Sequence, residues 1–216
     1  GRDVAAVISQ PNKPKNRGMK VVNTPVAQVA EDNSIPCYQP ETLRNGAISE
    51  LLSEINPDII VVVAYGKILP KEILEAAKYG CVNGHASLLP KYRGASPIQW
   101  CIVCGETETG VTTMLMDEGM DTGDILETAR VKIGDSETAE QLFDRLSVVS
   151  AQLMVSTLEK LEKGEITAKK QNEEEATYAP IIKKEMALLD FSKSAKELYN
   201  AVRGYYSWPV AFFFLK

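Results

Sequence analysis

The chain has 216 residues, long enough to bury a substantial core, and its 44% hydrophobic and 25% charged residues without a low-complexity tract exclude a disordered or fibrous protein. A net charge of −5 argues weakly against a nucleic-acid partner, because phosphate backbones reward basic surface. The longest apolar runs, IIVVVA (59–64) and VAFFFL (210–215), are too short to span a bilayer, and GRDVAAVIS has no charged segment leading into a long apolar one, so neither a membrane span nor a signal peptide is expected.

VAAVIS (4–9) reads as a buried strand. QPNKPKNRGMK (10–20) follows, gathering Lys13, Lys15, Arg17 and Lys20 with no acid among them; it is either a solvated loop or a local basic contact. TLRNGAISELLSEIN (42–56) has helical spacing through Ile48, Leu51, Leu52 and Ile55. NPDIIVVVAYG (56–66) is a continuous β-branched run, the pattern of a strand covered on both faces. PKEILEAAKYG (70–80) predicts a short helix closed by Gly80.

CVNGHA then reads as a strand end, SPIQWCIVCG (96–105) as a helix, GVTTMLM (110–116) as a strand and DILETARVKI (124–133) as one or two more. A long helix from Thr138 to about Lys163 opens on a Thr138–Gln141 capping box, with Leu142, Leu146, Val149 and Leu153 as its buried stripe. Residues 165–185 are polar without period and read as a linker; SKSAKELYNAVRG begins another helix. Strands alternating with helices imply an α/β fold with a mainly parallel sheet, whose ligands bind beyond the carboxyl ends of the strands.

The only histidine, His85, stands two places after Asn83. On an extended strand the two side chains share a face, an amide donor beside a titratable ring, which suits stabilising a carbonyl oxyanion while moving a proton. Asn-Gly is also a common hairpin signal, and a turn at 83–84 would separate them. In MDEGMDTGDIL (116–126), Asp117, Glu118, Asp121 and Asp124 form either a solvated turn or a source of one carboxylate for the histidine. Calcium-loop spacing is not met, and one histidine with no nearby cysteine does not make a zinc site. Of Cys37, Cys81, Cys101 and Cys104, the CxxC pair 101–104 lacks a second pair and reads as helix packing in a reducing compartment.

VVVAYGKILP, NGHASLLPKYRGASPIQW and ETGVTTMLMDEGMDTGDIL, in that order, resemble the folate-dependent formyltransferases. QPNKPKNRG, ATYAPII and FSKSAKELYNAVRG with the later WP extend the likeness to nearly the whole chain; RGASPIQW and MDEGMDTGD point to the family's tRNA-directed branch.

The resemblance implies a Rossmann-like catalytic domain over 1–164, a linker at 165–185 and, over 186–216, the start of an OB-like C-terminal barrel. An opening strand and helix would precede Gly1, and more of the barrel would follow. It implies transfer of formyl from 10-formyltetrahydrofolate to the amino group of initiator methionyl-tRNA, without a metal, by a monomer in a bacterial-type cytoplasm or organellar matrix. Asn83, His85 and Asp121 would be catalytic. Tyr65, Gly66, Ile68, Ser87, Leu88, Leu89, Pro90 and Asp117 would contact the folate, and Arg17 and Lys20 the tRNA. Formyl transfer to glycinamide ribonucleotide or a nucleotide-sugar, hydrolysis by water, and a non-catalytic folate- or RNA-binding module are the alternatives.

Overall fold

The computed structural model describes residues 3–15, 20–44 and 46–215. The chain divides into two compact units, one ending at Cys81 and the other beginning at Val82.

In the first unit, β1 (Val7–Ile8), the paired part of the VAAVIS run, lies parallel to a short strand at Cys37–Tyr38, with Val7 opposite Cys37. β2 (Lys13–Lys15) and β3 (Lys20–Val22) pair antiparallel, Lys15 opposite Lys20, so both flanks of the basic segment are strand. Arg17 lies outside the described residues. Helix α1 (Pro25–Asp32) has no counterpart in the sequence reading, though its start is legible: Thr24 caps it by accepting the Ala27 N–H, and proline occupies the first turn, where no N–H is needed. β4 is the Cys37–Tyr38 strand.

Helix α2 (Ala47–Ile55) starts five residues later than expected, after Gly46 at φ +81°, and buries Ile48 and Leu52. β5 is only Ile60–Val62. Val61 and Val63 are 43% and 56% exposed, so the apolar run is not covered on both faces. Helix α3 (Lys71–Leu74) is a single turn, and the chain reaches Gly80 through further turns.

The second unit is built on an antiparallel meander. β6 (Cys81–His85) pairs with β7 (Glu108–Leu115), which pairs with β8 (Ile125–Lys132) across a register shift at Thr113/Met114. Between β6 and β7 comes α4 (Pro97–Val103). Helix α5 (Ala139–Lys163) carries the expected capping box, in which Thr138 and Gln141 satisfy each other's backbone N–H, and it ends at Gly164 in the left-handed conformation. Its Leu142 and Leu146 pack with Ile98, Cys101, Ile102, Val111 and Ile133. Each such side chain removed from water stabilises the fold by about 1.5–3 kcal/mol. Helix α6 (Ala195–Gly204) packs on α4 and is tied down by buried Arg203, whose guanidinium donates to the carbonyls of Gly134 and Glu137, each at 3.1 Å. The α/β reading holds, with strand directions that are mixed. Among the described residues no helix is long and apolar enough to cross a membrane.

The CxxC pair splits at the end of α4: Cys101 is buried in the core, whereas Cys104 is exposed at the helix terminus. Burial pushes the Cys101 thiol up to about 12 and that of Cys81 to about 11, so neither supplies reactive thiolate near neutrality. A thiol reagent at pH 8 should therefore label Cys37 and Cys104 in the native protein, and Cys81 and Cys101 only after unfolding. Native labelling of Cys101 at the rate of Cys104 would contradict the packing.

Candidate active site

The pairing of β6 settles the two readings of Asn83-Gly84. Asn83 lies opposite Met114 and Gly84 opposite Thr113, inside the ladder, so no hairpin turn forms there. Asn83 and His85 share a face by the two-residue period, His85 buried and Asn83 half-buried. Gly84 alternates to the other face and meets α5: a Cβ there would stand 2.9 Å from Ser150 Oγ and 3.5 Å from Met154 Cε. Having no side chain lets the long helix approach the strand closely, which gives a strand-interior glycine a packing role.

Main chain orients the histidine. Nε2 lies 2.9 Å from the Tyr92 carbonyl oxygen. A carbonyl only accepts, so Nε2 carries the hydrogen, and in the neutral ring Nδ1 is bare. Nδ1 faces Asp121 Oδ2 at 3.6 Å, just beyond a direct hydrogen bond. A proton on Nδ1 makes this an ion pair between side chains only 8% and 16% exposed, where salt and water screen weakly.

Two residues in left-handed backbone hold these groups. Tyr92 presents its carbonyl at φ +60°, an uncommon state for an aromatic residue. It is anchored through its N–H to Thr177 Oγ1 (2.9 Å) and its hydroxyl to Glu106 Oε1 (2.8 Å). Burial first, and then the Glu106 bond, push the phenol pKa up, so the hydroxyl stays a donor. Asp121 sits at φ +55°, and its Oδ2 accepts the Gly94 N–H at 2.8 Å. Gly94 itself lies at φ +116°, and a Cβ there would come within 2.8 Å of the Ala179 carbonyl oxygen, so both conformation and space demand glycine.

Ala179 and Thr177 belong to the segment expected as a linker. Residues 171–182 bind the site loops as a strap. Arg93 N–H donates to Thr177 O (2.8 Å), Ala179 N–H to Arg93 O (2.7 Å), and Ser96 N–H to Ala179 O (3.1 Å). Polar groups and main chain attach it, and Ala179 and Ile182 are buried along it. The Arg93 side chain has no exposed surface, and it donates twice to Glu173 (2.7 and 2.8 Å) and twice to Gln171 Oε1 (2.8 and 3.0 Å). The bidentate bond from Arg93 holds the Glu173 carboxyl below the usual carboxylate range. The sequence reading passed over Arg93, Tyr92, Gln171 and Glu173; the only signal was RGASP, noted as a motif without a role for its arginine.

The first 158 residues match the family model described as formyl transferase, and residues 181–216 match that of the formyl transferase C-terminal domain. Methionyl-tRNA formyltransferase of Geobacter metallireducens is 49% identical over 98% of this chain and 68% of its own length; that of Clostridium novyi is 52% identical over 97% and 68%. The chain belongs to the methionyl-tRNA formyltransferase family. A solved formyltransferase from Helicobacter canadensis, in complex with folinic acid and dTDP-3-aminofucose, shares the fold at a TM-score of 0.73 and 20% identity, over 94% of this chain and 81% of that one.

Of the residues expected to act in this formyltransferase, His85 and Asp121 face each other, with Asn83 on the same strand face as His85. In the Ser87–Pro90 segment, Ser87 Oγ donates to Lys91 O (2.6 Å), and Thr112 Oγ1 accepts the Leu89 N–H (3.1 Å), so these polar groups shape the loop. Leu88 Cδ2 lies where a Cβ on Gly110 would stand, 2.6 Å away, and Leu89 is buried. Asp117 accepts from Gly119 N–H and Thr122 Oγ1, closing its own turn. Tyr65, Gly66 and Ile68 belong to the first unit; Ile68 is exposed, Gly66 has φ +72°, and the Tyr65 hydroxyl is buried without a partner among the described residues. Lys20 opens β3. Among the described residues no group of three or more His, Cys, Asp or Glu side chains could hold a metal ion.

Removing the carboxylate of Glu173 strands a buried guanidinium. Glu173→Ala should lower the melting temperature clearly more than alanine at Glu174 or Glu175, although the Glu173 side chain is 68% exposed. Equal melting temperatures for the three variants would show that Arg93 does not depend on it.

Proposed function

We propose that this chain transfers the formyl group of 10-formyltetrahydrofolate to the α-amino group of methionine on initiator tRNA, the reaction that prepares the first residue of translation. The observation that carries the chemistry is the buried His85–Asp121 pair on the Asn83 face of β6, with the other ring nitrogen engaged by the Tyr92 carbonyl.

The amine attacks the formyl carbon, and the carbonyl pair moves onto oxygen. The Asn83 amide and the Nδ1–H of a protonated His85 donate to that oxygen; one such donor is worth about 10²–10³ in rate. Because Nε2–H is held by main chain, Nδ1 is the ring atom free to exchange a proton. The attacking nitrogen gives up one proton to Asp121, directly or through one water. N10 of the donor gains one as its bond to the formyl carbon breaks, leaving formyl-methionyl-tRNA and tetrahydrofolate. A free α-amine titrates near pH ~7.7–8, so a carboxylate relay is base enough.

The β2–β3 pair supports the tRNA as acceptor, since its strands carry Lys13, Lys15 and Lys20 on either side of the segment that contains Arg17. Folate contacts by Leu88, Leu89, Pro90 and Asp117 belong to the same reading. So does its division into a catalytic domain over 1–164 and a C-terminal domain opening at 186, with 165–185 between them.

Formylation of methionyl initiator tRNA and of glycinamide ribonucleotide, compared with 10-formyltetrahydrofolate as donor, tests the proposal. The tRNA should be the acceptor, and His85→Ala and Asp121→Asn should each lower kcat by about 10²–10⁴-fold. Activity near wild type in either variant would remove the assigned roles, and transfer to the ribonucleotide alone would replace the substrate. Arg17→Ala should raise KM for tRNA and reduce the dependence of log affinity on log salt by about one unit of slope, leaving folate affinity intact.

A further inference from the structure

Resting on the formyl-transfer reading, we propose that Gln171 is a positioning residue of that reaction, acting through Asp121. Its carboxamide is used at both ends. Nε2 donates to the carbonyl of Asp121 (2.8 Å) and to that of Gly123 (2.7 Å), while Oε1 accepts Nε and Nη2 of Arg93. A guanidinium can only donate and a carbonyl can only accept, so Arg93 decides which way the amide faces. No carboxylate, ammonium or hydroxyl side chain supplies two donors on one atom and an acceptor on the next.

The constraint falls where Asp121 needs it. Asp121 is a non-glycine residue in the left-handed region, a state that persists only when its surroundings over-determine it. Gly94 N–H holds its carboxylate, and Gln171 holds its carbonyl oxygen. The two bonds fix opposite ends of the residue and keep Oδ2 facing His85 Nδ1. Losing the carbonyl bond frees the 121–122 peptide to rotate, and with it the direction of the side chain. The signal was hidden in the sequence because Gln171 lies 50 residues beyond the loop it secures.

The test is a double-mutant cycle on kcat for methionyl-tRNA formylation. Gln171→Glu keeps the length and the Arg93 contact but removes both donors; Gln171→Met removes all four bonds and serves as the second variant. Each should lower kcat by about 10–100-fold, the cost of misplacing a catalytic group by about 1 Å, with KM for tRNA unchanged. The pH profile of kcat should move toward that of Asp121→Asn. In the Asp121→Asn background the same changes should cost less than about threefold, because a residue that works through Asp121 has nothing left to position.

An equal loss in both backgrounds, or kcat within twofold of wild type for both Gln171 variants, overturns the inference. A wild-type protein that does not formylate tRNA overturns the functional reading and this inference together. An active wild type that is impaired by Asp121→Asn but not by either Gln171 variant overturns this inference alone.

Discussion

Arg93 has no surface in contact with solvent, and a guanidinium keeps its proton at any pH the protein meets, so its donors must be met by protein atoms. They are met by Glu173 and Gln171, some 80 residues later in the chain. That one requirement explains why residues 171–175, QNEEE, which carry no apolar side chain, lie fixed against the loops after β6 and β7. With the side chain paired, the Arg93 main chain also takes and gives a hydrogen bond with Thr177 and Ala179. Desolvating a charge is costly, and the arrangement is better understood as specifying one geometry than as adding stability.

What is specified is the surroundings of a single imidazole. Tyr92, next to Arg93, turns its carbonyl to His85, and Gly94, on the other side, gives its N–H to Asp121. Three consecutive residues thus anchor the ring, the strap and the carboxylate. The ring's orienting bond comes from Tyr92 rather than from Asp121, whose carboxylate faces the other ring nitrogen at 3.6 Å.

How much of this was legible in the sequence depended on the kind of interaction that holds each element. Helix α5 was readable to within a residue, because its cap and its stripe are local signals. Strand β6 was readable only as an alternative to a hairpin: Asn-Gly favours a turn locally, and the ladder to Met114 and Thr113 overrides it. The apolar run at 59–64 misled, since its composition promises two covered faces and Val61 and Val63 remain exposed. His85 and Asp121 were placed as candidates by residue type and motif. The bonds that orient them run from main-chain atoms and from residues 171–179, and no periodicity encodes a backbone carbonyl aimed at a distant ring.

The same logic bears on why the reaction tolerates so spare a site. An amine nucleophile near its own pKa needs little activation, and a formyl carbon needs chiefly two donors placed where negative charge develops. Neither task calls for a strongly perturbed side chain; both call for angular accuracy. Accuracy is what left-handed residues over-determined by hydrogen bonds provide, and both such residues here, Tyr92 and Asp121, are each fixed by at least two of them. The polar strap is therefore as much a part of the candidate site as the strand that carries the histidine, and its polar side chains are matched to the geometry of the bonds they make rather than to bulk or charge alone.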